Sequence, residues 1–205
     1  MVTIYLARHG QDQDNFNGLL NGHRNQPLTE KGLEQAQEAA TKIREAGLHF
    51  DHIYSSPLQR AHVTAQVISE AIGGPDPEVH KNLIERDFGV LTGVPVSEIE
   101  ARCAPNVIKT DTITYFLEVE GAETFPQLQQ RANTVLNELQ TKHDGETILL
   151  VSHGDFGKML YTAYYNLDWE DVLRKFHFGN SELLILSPES DGDHAHVFTI
   201  EQFNA

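Results

Sequence analysis

Two segments of this chain place a histidine and a glycine directly after an apolar run: Arg8-His9-Gly10 follows residues 2–7, and Ser152-His153-Gly154 follows residues 147–151. A histidine by itself says little, because 11 of the 205 residues are histidine and most must be surface or packing residues. Two at the same station, each at the end of an expected strand, point instead to a shared site, where glycine lets the backbone approach a ligand closely or take a positive φ. Arg60 is the third element. It falls in the first turn of a helix expected to start at Ser56-Pro57, where the positive end of the helix dipole disfavours a cation by roughly 0.3–1 kcal/mol. Either Arg60 bends outward into solvent, or it converges with the helix N-terminus on an anion that removes the penalty. With Arg8 beside it, two guanidiniums would then clamp a phosphate in bidentate fashion.

The elements that must position these residues follow from the hydrophobic pattern. Residues 2–7 and 147–151 are β-branched and apolar runs suited to strands buried on both faces. Thr29 is placed to cap a helix reaching about residue 46, with Leu28 and Leu33 as a hydrophobic staple, Leu33, Ala36, Ala40 and Ile43 as its apolar face, and Gly47 as a left-handed stop. A strand at His52-Ile53-Tyr54 precedes a helix capped by Ser56 with Pro57 at its first position; Leu58, Ala61, Ala65, Ile68 and Ile72 line one face, and Gly73-Gly74 end it. Residues 78–83 form a weaker strand candidate. Residues 88–124 lack a clean period and carry several Gly and Pro residues, so they are expected to form an insertion of short pieces acting as a lid. Phe125, Leu128, Ala132, Val135, Leu136 and Leu139 mark an amphipathic helix, another runs over about 155–165, and residues 183–186 and 195–200 suggest an antiparallel edge hairpin. The alternation predicts an α/β doubly wound, mostly parallel sheet with helices on both faces, in one domain spanning 1–205. In such sheets the ligand crevice lies beyond the carboxyl ends of the strands, which is where both His-Gly pairs fall.

Composition narrows the ligand. Fifteen basic residues against 30 acidic give a net charge of −15, which repels polyanions and argues against nucleic-acid or anionic-membrane partners. An anionic ligand must therefore be small and locally caught. One cysteine, Cys103, excludes an intrachain disulfide framework. The N-terminal apolar run is too short for a signal core and no window reaches a spanning helix, so a cytoplasmic protein is expected. A homo-oligomer is compatible with all of this.

These residues carry a resemblance to the histidine phosphatase superfamily, also called the phosphoglycerate mutase-like family. The matching elements are Leu6-Ala7-Arg8-His9-Gly10, Asn15, Asn21-Gly22, Pro27-Leu28-Thr29-Glu30-Lys31-Gly32, Ser55-Ser56-Pro57-Leu58-Gln59-Arg60-Ala61, Leu83-Ile84-Glu85, Phe88-Gly89 and Val151-Ser152-His153-Gly154, and they cover nearly the whole chain. The resemblance implies that His9 is a nucleophile forming a phosphohistidine, with Glu85 as general acid for the leaving oxygen. Arg8, Arg60 and His153 would supply positive charge and donors around the phosphoryl oxygens, and these cations should keep the attacking nitrogen of His9 unprotonated. A carboxyl facing bound phosphate should have a raised pKa. Asp87 competes locally for the acid role, and Glu85 has the alternative of pairing with Arg86 on a solvated loop. Asn15, Asn21, Gly22 and the backbone of Gly154 would complete the phosphate and substrate surface.

The departures bear on substrate. After Arg-His-Gly many members continue with Glu, then Ser or Thr, then Trp-Asn, whereas this chain reads Gln11-Asp12-Gln13-Asp14-Asn15. Residues 88–124 hold two basic residues, Arg102 and Lys109, against six acidic ones. A mutase must hold a bisphosphate, and no basic pair for its second phosphate is visible there. The same segment offers Phe88, Val90, Leu91, Val94, Ile99, Tyr115, Phe116 and Leu117, either as contacts to an apolar leaving group or as lid packing. The expectation is a phosphatase acting on small phosphomonoesters with no metal and no cofactor. The alternatives are a 2,3-bisphosphoglycerate-dependent phosphoglycerate mutase, for which that bisphosphate would be the cofactor, and a non-catalytic phospholigand-binding domain, which would be expected to have lost His9 or Glu85. Asp191, Asp193, His194 and His196 suggest a metal site only weakly, since turn acids followed by edge-strand histidines on one face need no ligand. Cys103 has no visible base, and Tyr161, Tyr164, Tyr165 and Trp169 suit packing and rim positions.

Overall fold

The apolar run that opens the chain becomes β1 (Thr3–Arg8), flanked by β6 on one side and β7 on the other in a computed structural model that describes residues 1–202. In chain order the elements are β1, α1 (Gln13–Phe16), α2 (Glu30–Glu45), β2 (His52–Ser55), α3 (Gln59–Ile72), β3 (Glu78–Val79), α4 (Ile99–Cys103), β4 (Val107–Lys109), β5 (Thr114–Phe116), α5 (Phe125–Lys142), β6 (Thr147–Ser152), α6 (Gly154–Tyr165), α7 (Trp169–Lys175), β7 (Leu183–Leu186) and β8 (His196–Phe198). Six strands form one sheet in the order β3-β2-β6-β1-β7-β8, parallel except for the β7–β8 hairpin at one edge. This is the mostly parallel α/β sheet that the alternation of strand and helix predicts.

Side chains alternate across the sheet and so build two cores. Tyr5, Ala7, Ile53, Leu149 and Val151 pack against Ala39, Ala40 and Ile43 of α2 and Ala61, Ala65 and Ile68 of α3. Ile4, Leu6, Tyr54, Ile148 and Leu150 face Leu128, Val135 and Leu139 of α5 and Phe156, Met159 and Leu160 of α6. Full burial of one such Ile or Leu is worth roughly 1.5–3 kcal/mol, so these layers hold the strand ends in register.

Several local expectations shift, each for a visible reason. Thr29 does cap α2, its hydroxyl accepting from Gly32 N at 3.0 Å. Leu33, however, is 42% exposed and forms no staple; the inward stripe passes instead through Gln35, whose Oε1 accepts from Gln11 N at 2.9 Å. Ser56 does not cap α3. Its hydroxyl accepts from Leu58 N and meets His153, so the helix starts at Gln59, whose N–H is capped by Asn25 Oδ1 at 2.7 Å. The strand expected over 78–83 shortens to β3 and a single 3₁₀ turn. The α7 helix escapes the hydrophobic pattern because it buries only Val172 and Leu173; Asp168 caps it, and Glu170–Arg174 and Asp171–Lys175 pair along its outer face.

Residues 88–124 contain α4 and the antiparallel β4–β5 pair around a small core of Phe88, Leu91, Ile99, Cys103 and Phe116. Most of the segment's apolar side chains are thus spent on its own packing. Among the described residues, no helix is long and apolar enough to cross a membrane.

Candidate active site

The carboxyl ends of β1 and β6 deliver His9 and His153 side by side, ring centroids 5.1 Å apart. Both are buried. His9 Nδ1 lies 2.6 Å from Gly10 O, and since a carbonyl only accepts, Nδ1 carries the proton and Nε2 keeps its lone pair. Burial, then the Arg60 and Arg8 charges, hold the His9 pKa well below the usual histidine range, leaving a neutral imidazole near neutral pH. The same causes depress His153. His153 is therefore held neutral, without the positive charge expected of it. Its Nε2 meets Ser56 Oγ at 2.7 Å, an oxygen that also accepts from Leu58 N; in the tautomer where Ser56 O–H donates to Nε2, the ring proton stands on Nδ1.

Arg60 is fully buried, so the solvated alternative does not hold. Its terminal nitrogens donate to Arg24 O (2.7 Å) and Gly22 O (2.9 Å), and its Nε points at His9 Nε2 (3.2 Å) and Asp12 Oδ2 (3.2 Å). The Arg60 Nε thus stands between the His9 ring and the Asp12 carboxylate. Asp12, whose pKa is pushed up by burial and pulled down by Arg60, also accepts from Asn21 Nδ2 at 2.9 Å and caps α1 through Asn15 N at 2.7 Å. Sequence reasoning noted Asp12 only as a departure in the loop; the structure makes it the partner of Arg60. Asn21 and Gly22 act on that same pair, one holding Asp12 and the other accepting from Arg60. The φ of +46° at Gly22 and the Phe88 ring 3.1 Å from where a Cβ would stand both require glycine. Gly10 is needed for a different reason than expected: a Cβ there would stand 2.2 Å from Gly32 O, so it admits α2 rather than a ligand.

Arg8 donates through one terminal nitrogen to Phe178 O at 2.9 Å. Four buried side-chain polar atoms among the described residues lack a hydrogen-bond partner, and three of them, Arg8 Nε, His153 Nδ1 and Ser181 Oγ, belong to residues around His9. Buried polar atoms without partners cost about 1–3 kcal/mol each, and an oxyanion beside His9 would satisfy such donors. Ser181 is held against the end of β1 by its N–H to Arg8 O and has a φ of +57°, a conformation that non-glycine residues adopt rarely and that recurs at functional sites. Its neighbour Asn180 donates to His9 O (2.9 Å) and Asn15 Oδ1 (3.2 Å). Neither residue was legible in advance.

Glu85 is buried, not on a solvated loop. It lies at the N-terminus of α6, where Oε1 accepts from Arg86 N (2.9 Å) and Phe156 N (3.0 Å) and Oε2 more loosely from Asp155 N (3.3 Å). Burial and then the Asp155 charge raise its pKa, against the pull of those N–H groups and Arg60. The direction matches expectation, although the cause already lies in the protein. Arg86 does not pair with Glu85: its guanidinium donates to Asp155 Oδ2 (2.9 Å) and Phe116 O (3.1 Å) and stacks on Phe116 and Phe125 (3.9 and 4.1 Å), tying residues 88–124 to α6. Asp87 is a solvated competitor, its carboxylate bound to Gly89 N and 46% exposed. Gly154 opens α6 beside the Arg8 guanidinium, and Lys158 one turn on donates to Tyr115 OH while burial lowers its pKa to about 8.

A cavity of about 510 Å³ is lined by Arg8 and Asn15, by Leu19, Val96 and Ile113, and by Gly18, Thr112, His177 and Gln202. The sequence profile of the histidine phosphatase superfamily (branch 1) matches residues 4–201. The chain belongs to this superfamily. A 2,3-bisphosphoglycerate-dependent phosphoglycerate mutase of Brucella anthropi is 32% identical over 177 residues, 84% of this chain and 86% of the relative. The phosphoserine phosphatase of Entamoeba histolytica, solved with 3-phosphoglyceric acid, superposes with a TM-score of 0.74 at 27% identity over 90% of each chain. A mycobacterial glucosyl-3-phosphoglycerate phosphatase shares the fold with a TM-score of 0.76 at 24% identity, covering 99% of this chain and 98% of its own. The weak C-terminal metal candidate is spent on local contacts: Asp191 caps a 3₁₀ turn by accepting from His194 N and meets the His194 ring, while His196 Nε2 meets His177 O.

Proposed function

We propose that this superfamily member is a phosphatase of small phosphomonoesters working through a phosphohistidine on His9. The observation that carries the choice of water over a second phosphorylated acceptor is the cavity beside the site. Among the described residues, Arg8 is the one guanidinium that lines it, beside His177, whose pKa is lowered by burial, and the two basic residues of the lid are turned outward into exposed pairs, Arg102 with Glu98 and Lys109 with Glu100. Arg24, the next cation along the first loop, is held by Asp14 at 2.8 Å. A phosphate dianion has a cradle at His9, and the remainder of the substrate meets a mixed wall in which Leu19, Val96 and Ile113 stand beside Thr112, His177 and Gln202.

In this mechanism the neutral His9 Nε2 attacks phosphorus in line with the leaving oxygen, while Arg8, Arg60 and the His153 Nδ1 donor take the equatorial oxygens. Asp12 keeps the Arg60 Nε–H occupied when the His9 lone pair turns to phosphorus. Glu85, protonated through burial, gives its proton to the leaving oxygen, and as carboxylate then takes one from the water that attacks the phosphohistidine. The bonds made and broken are N–P for O–P, then O–P for N–P, with the proton returned to Glu85. No metal or cofactor enters these steps.

The mutase reading is favoured by the names of the sequence relatives. Incubation with 3-phosphoglycerate, with and without catalytic 2,3-bisphosphoglycerate, separates the two. Release of inorganic phosphate without 2-phosphoglycerate supports the phosphatase; bisphosphate-dependent isomer replaces it with the mutase. Binding of phosphate with no turnover of any monoester would leave a non-catalytic phospholigand-binding domain.

A further inference from the structure

At the amino ends of the strands, with Glu146 seven residues before His153 along β6 and so about 23 Å from it by strand rise, His52, His143 and Glu146 bring one ligand atom each within 4.8 Å of one another. We infer that these three residues bind a borderline divalent cation, zinc above all, at a site separate from the catalytic one.

Three different stretches of chain converge there: His52 opens β2, His143 ends α5, and Glu146 precedes β6. Glu146 Oε2 lies 3.5 Å from His52 Nε2 and 2.6 Å from His143 Nδ1, with the two imidazole centroids 4.6 Å apart. Ligands about 2.0–2.1 Å from a tetrahedral zinc stand roughly 3.3 Å from one another. The Glu146–His52 spacing is already close to that, and the Glu146–His143 spacing must open by roughly 0.7 Å. The side chains of His52 and Glu146 are 36% and 40% exposed and free to adjust; His143 is buried and supplies the fixed point.

The feature that separates this group from an ordinary histidine–carboxylate contact is a buried partner for the far nitrogen of His143. Its Nε2 lies 3.1 Å from Tyr54 OH, and Lys142 Nζ donates to the same hydroxyl at 2.8 Å. With Lys142 donating to the phenolic oxygen, Tyr54 OH can donate to or accept from His143 Nε2; when a cation takes Nδ1, the Nε2–H donates to Tyr54 OH. This is the outer-shell hydrogen bond that orients a metal-bound imidazole. Without a cation the alternative tautomer places the Nδ1 proton on the short contact to Glu146, and the cation takes the place of that proton. Two imidazoles and one carboxylate favour zinc, nickel or copper over magnesium and calcium. Bound there, the ion ties the start of β2 to the turn between α5 and β6.

The test is zinc titration of the chelator-treated full-length protein against a chromophoric chelator near neutral pH, with thermal melts in parallel. One equivalent should be held at micromolar free zinc in the wild type and equally in His9→Ala, which separates this site from the catalytic histidines. His52→Gln and Glu146→Gln should each weaken binding by at least about tenfold and abolish the zinc-dependent rise in melting temperature. Both positions are part-exposed, so these variants are expected to fold; Asp191→Asn with His194→Gln is the control for binding to surface acids and should retain the equivalent. No equivalent bound at micromolar zinc, or equal binding by wild type and His52→Gln, would overturn the assignment.

Discussion

Replacing Glu85 with glutamine separates its chemical role from its structural one. The amide keeps an oxygen for Arg86 N and Phe156 N, the two bonds now at 2.9 and 3.0 Å, and alters only the looser contact to Asp155 N at 3.3 Å. It removes the proton that an alkoxide leaving group needs. A positioned general acid contributes about 10²–10⁴-fold, or about 3–5 kcal/mol at 1.36 kcal/mol per decade. Glu85→Gln should therefore lower kcat on an alkyl phosphate such as glycerol phosphate by two to four decades on that scale. On para-nitrophenyl phosphate, whose leaving group needs no protonation, the loss should stay within about threefold. Stability should move the other way. Burial and Asp155 raise the Glu85 pKa, so the wild-type fold loses stability as pH rises through that value, and the neutral amide escapes this loss. The melting temperature of Glu85→Gln should equal or exceed that of the wild type at neutral pH. Stopped assays on both esters across a pH series, with melts on the same preparations, read all of this. An equal loss on the two esters would remove Glu85 as the acid, and a lower melting temperature would contradict the account of its burial.

The pH profile of kcat/KM on alkyl esters should be bell-shaped with an acidic optimum: its rising limb lies below the usual histidine range because His9 must be neutral and its pKa is lowered, and its falling limb tracks deprotonation of Glu85. A falling limb of the same shape on para-nitrophenyl phosphate would exclude Glu85 as its source. Because the His9 and His153 pKa values are depressed, their contribution to stability is present above the unfolded histidine value of about 6.5 and lost as pH falls below it. Asp12→Asn removes a carboxylate 3.2 Å from Arg60 and should tighten competitive inhibition by inorganic phosphate by about tenfold while lowering kcat, a coupling of roughly 1–3 kcal/mol at the effective dielectric of such sites; unchanged inhibition would mean that Asp12 is only a cap. Arg86→Ala leaves Asp155 without its partner and should destabilise by about 3–5 kcal/mol, read by urea unfolding; a loss near zero would mean that the lid is held without it.

The site was legible where it is local. Each His-Gly pair follows an apolar run, and Arg60 and Glu85 stand in segments with their own motifs, so those residues could be named before any coordinates. What escaped depends on which charged groups end up inside. Nothing in the run 11–15 says that Asp12 faces Arg60 forty-eight positions on, and Arg86 reads as a surface cation although it is almost fully buried between Phe116 and Phe125. Ser56 was misread for a related reason. Ser-Pro is a strong helix-start signal, yet the hydroxyl has a better partner in His153, nearly a hundred residues away. Ser181 and Asn180 follow α7 and carry no pattern at all; only the β1–β7 pairing brings them to His9.

The central claim is that phosphate passes through His9 to water. Rapid-quench incubation with a ³²P-labelled monoester, followed by peptide mapping under alkaline conditions that preserve phosphohistidine, tests it directly. Label is expected on the peptide containing His9, formed and discharged at rates compatible with turnover and absent from His9→Ala. Turnover with no labelled histidine, or label that persists in His9→Ala, would contradict it.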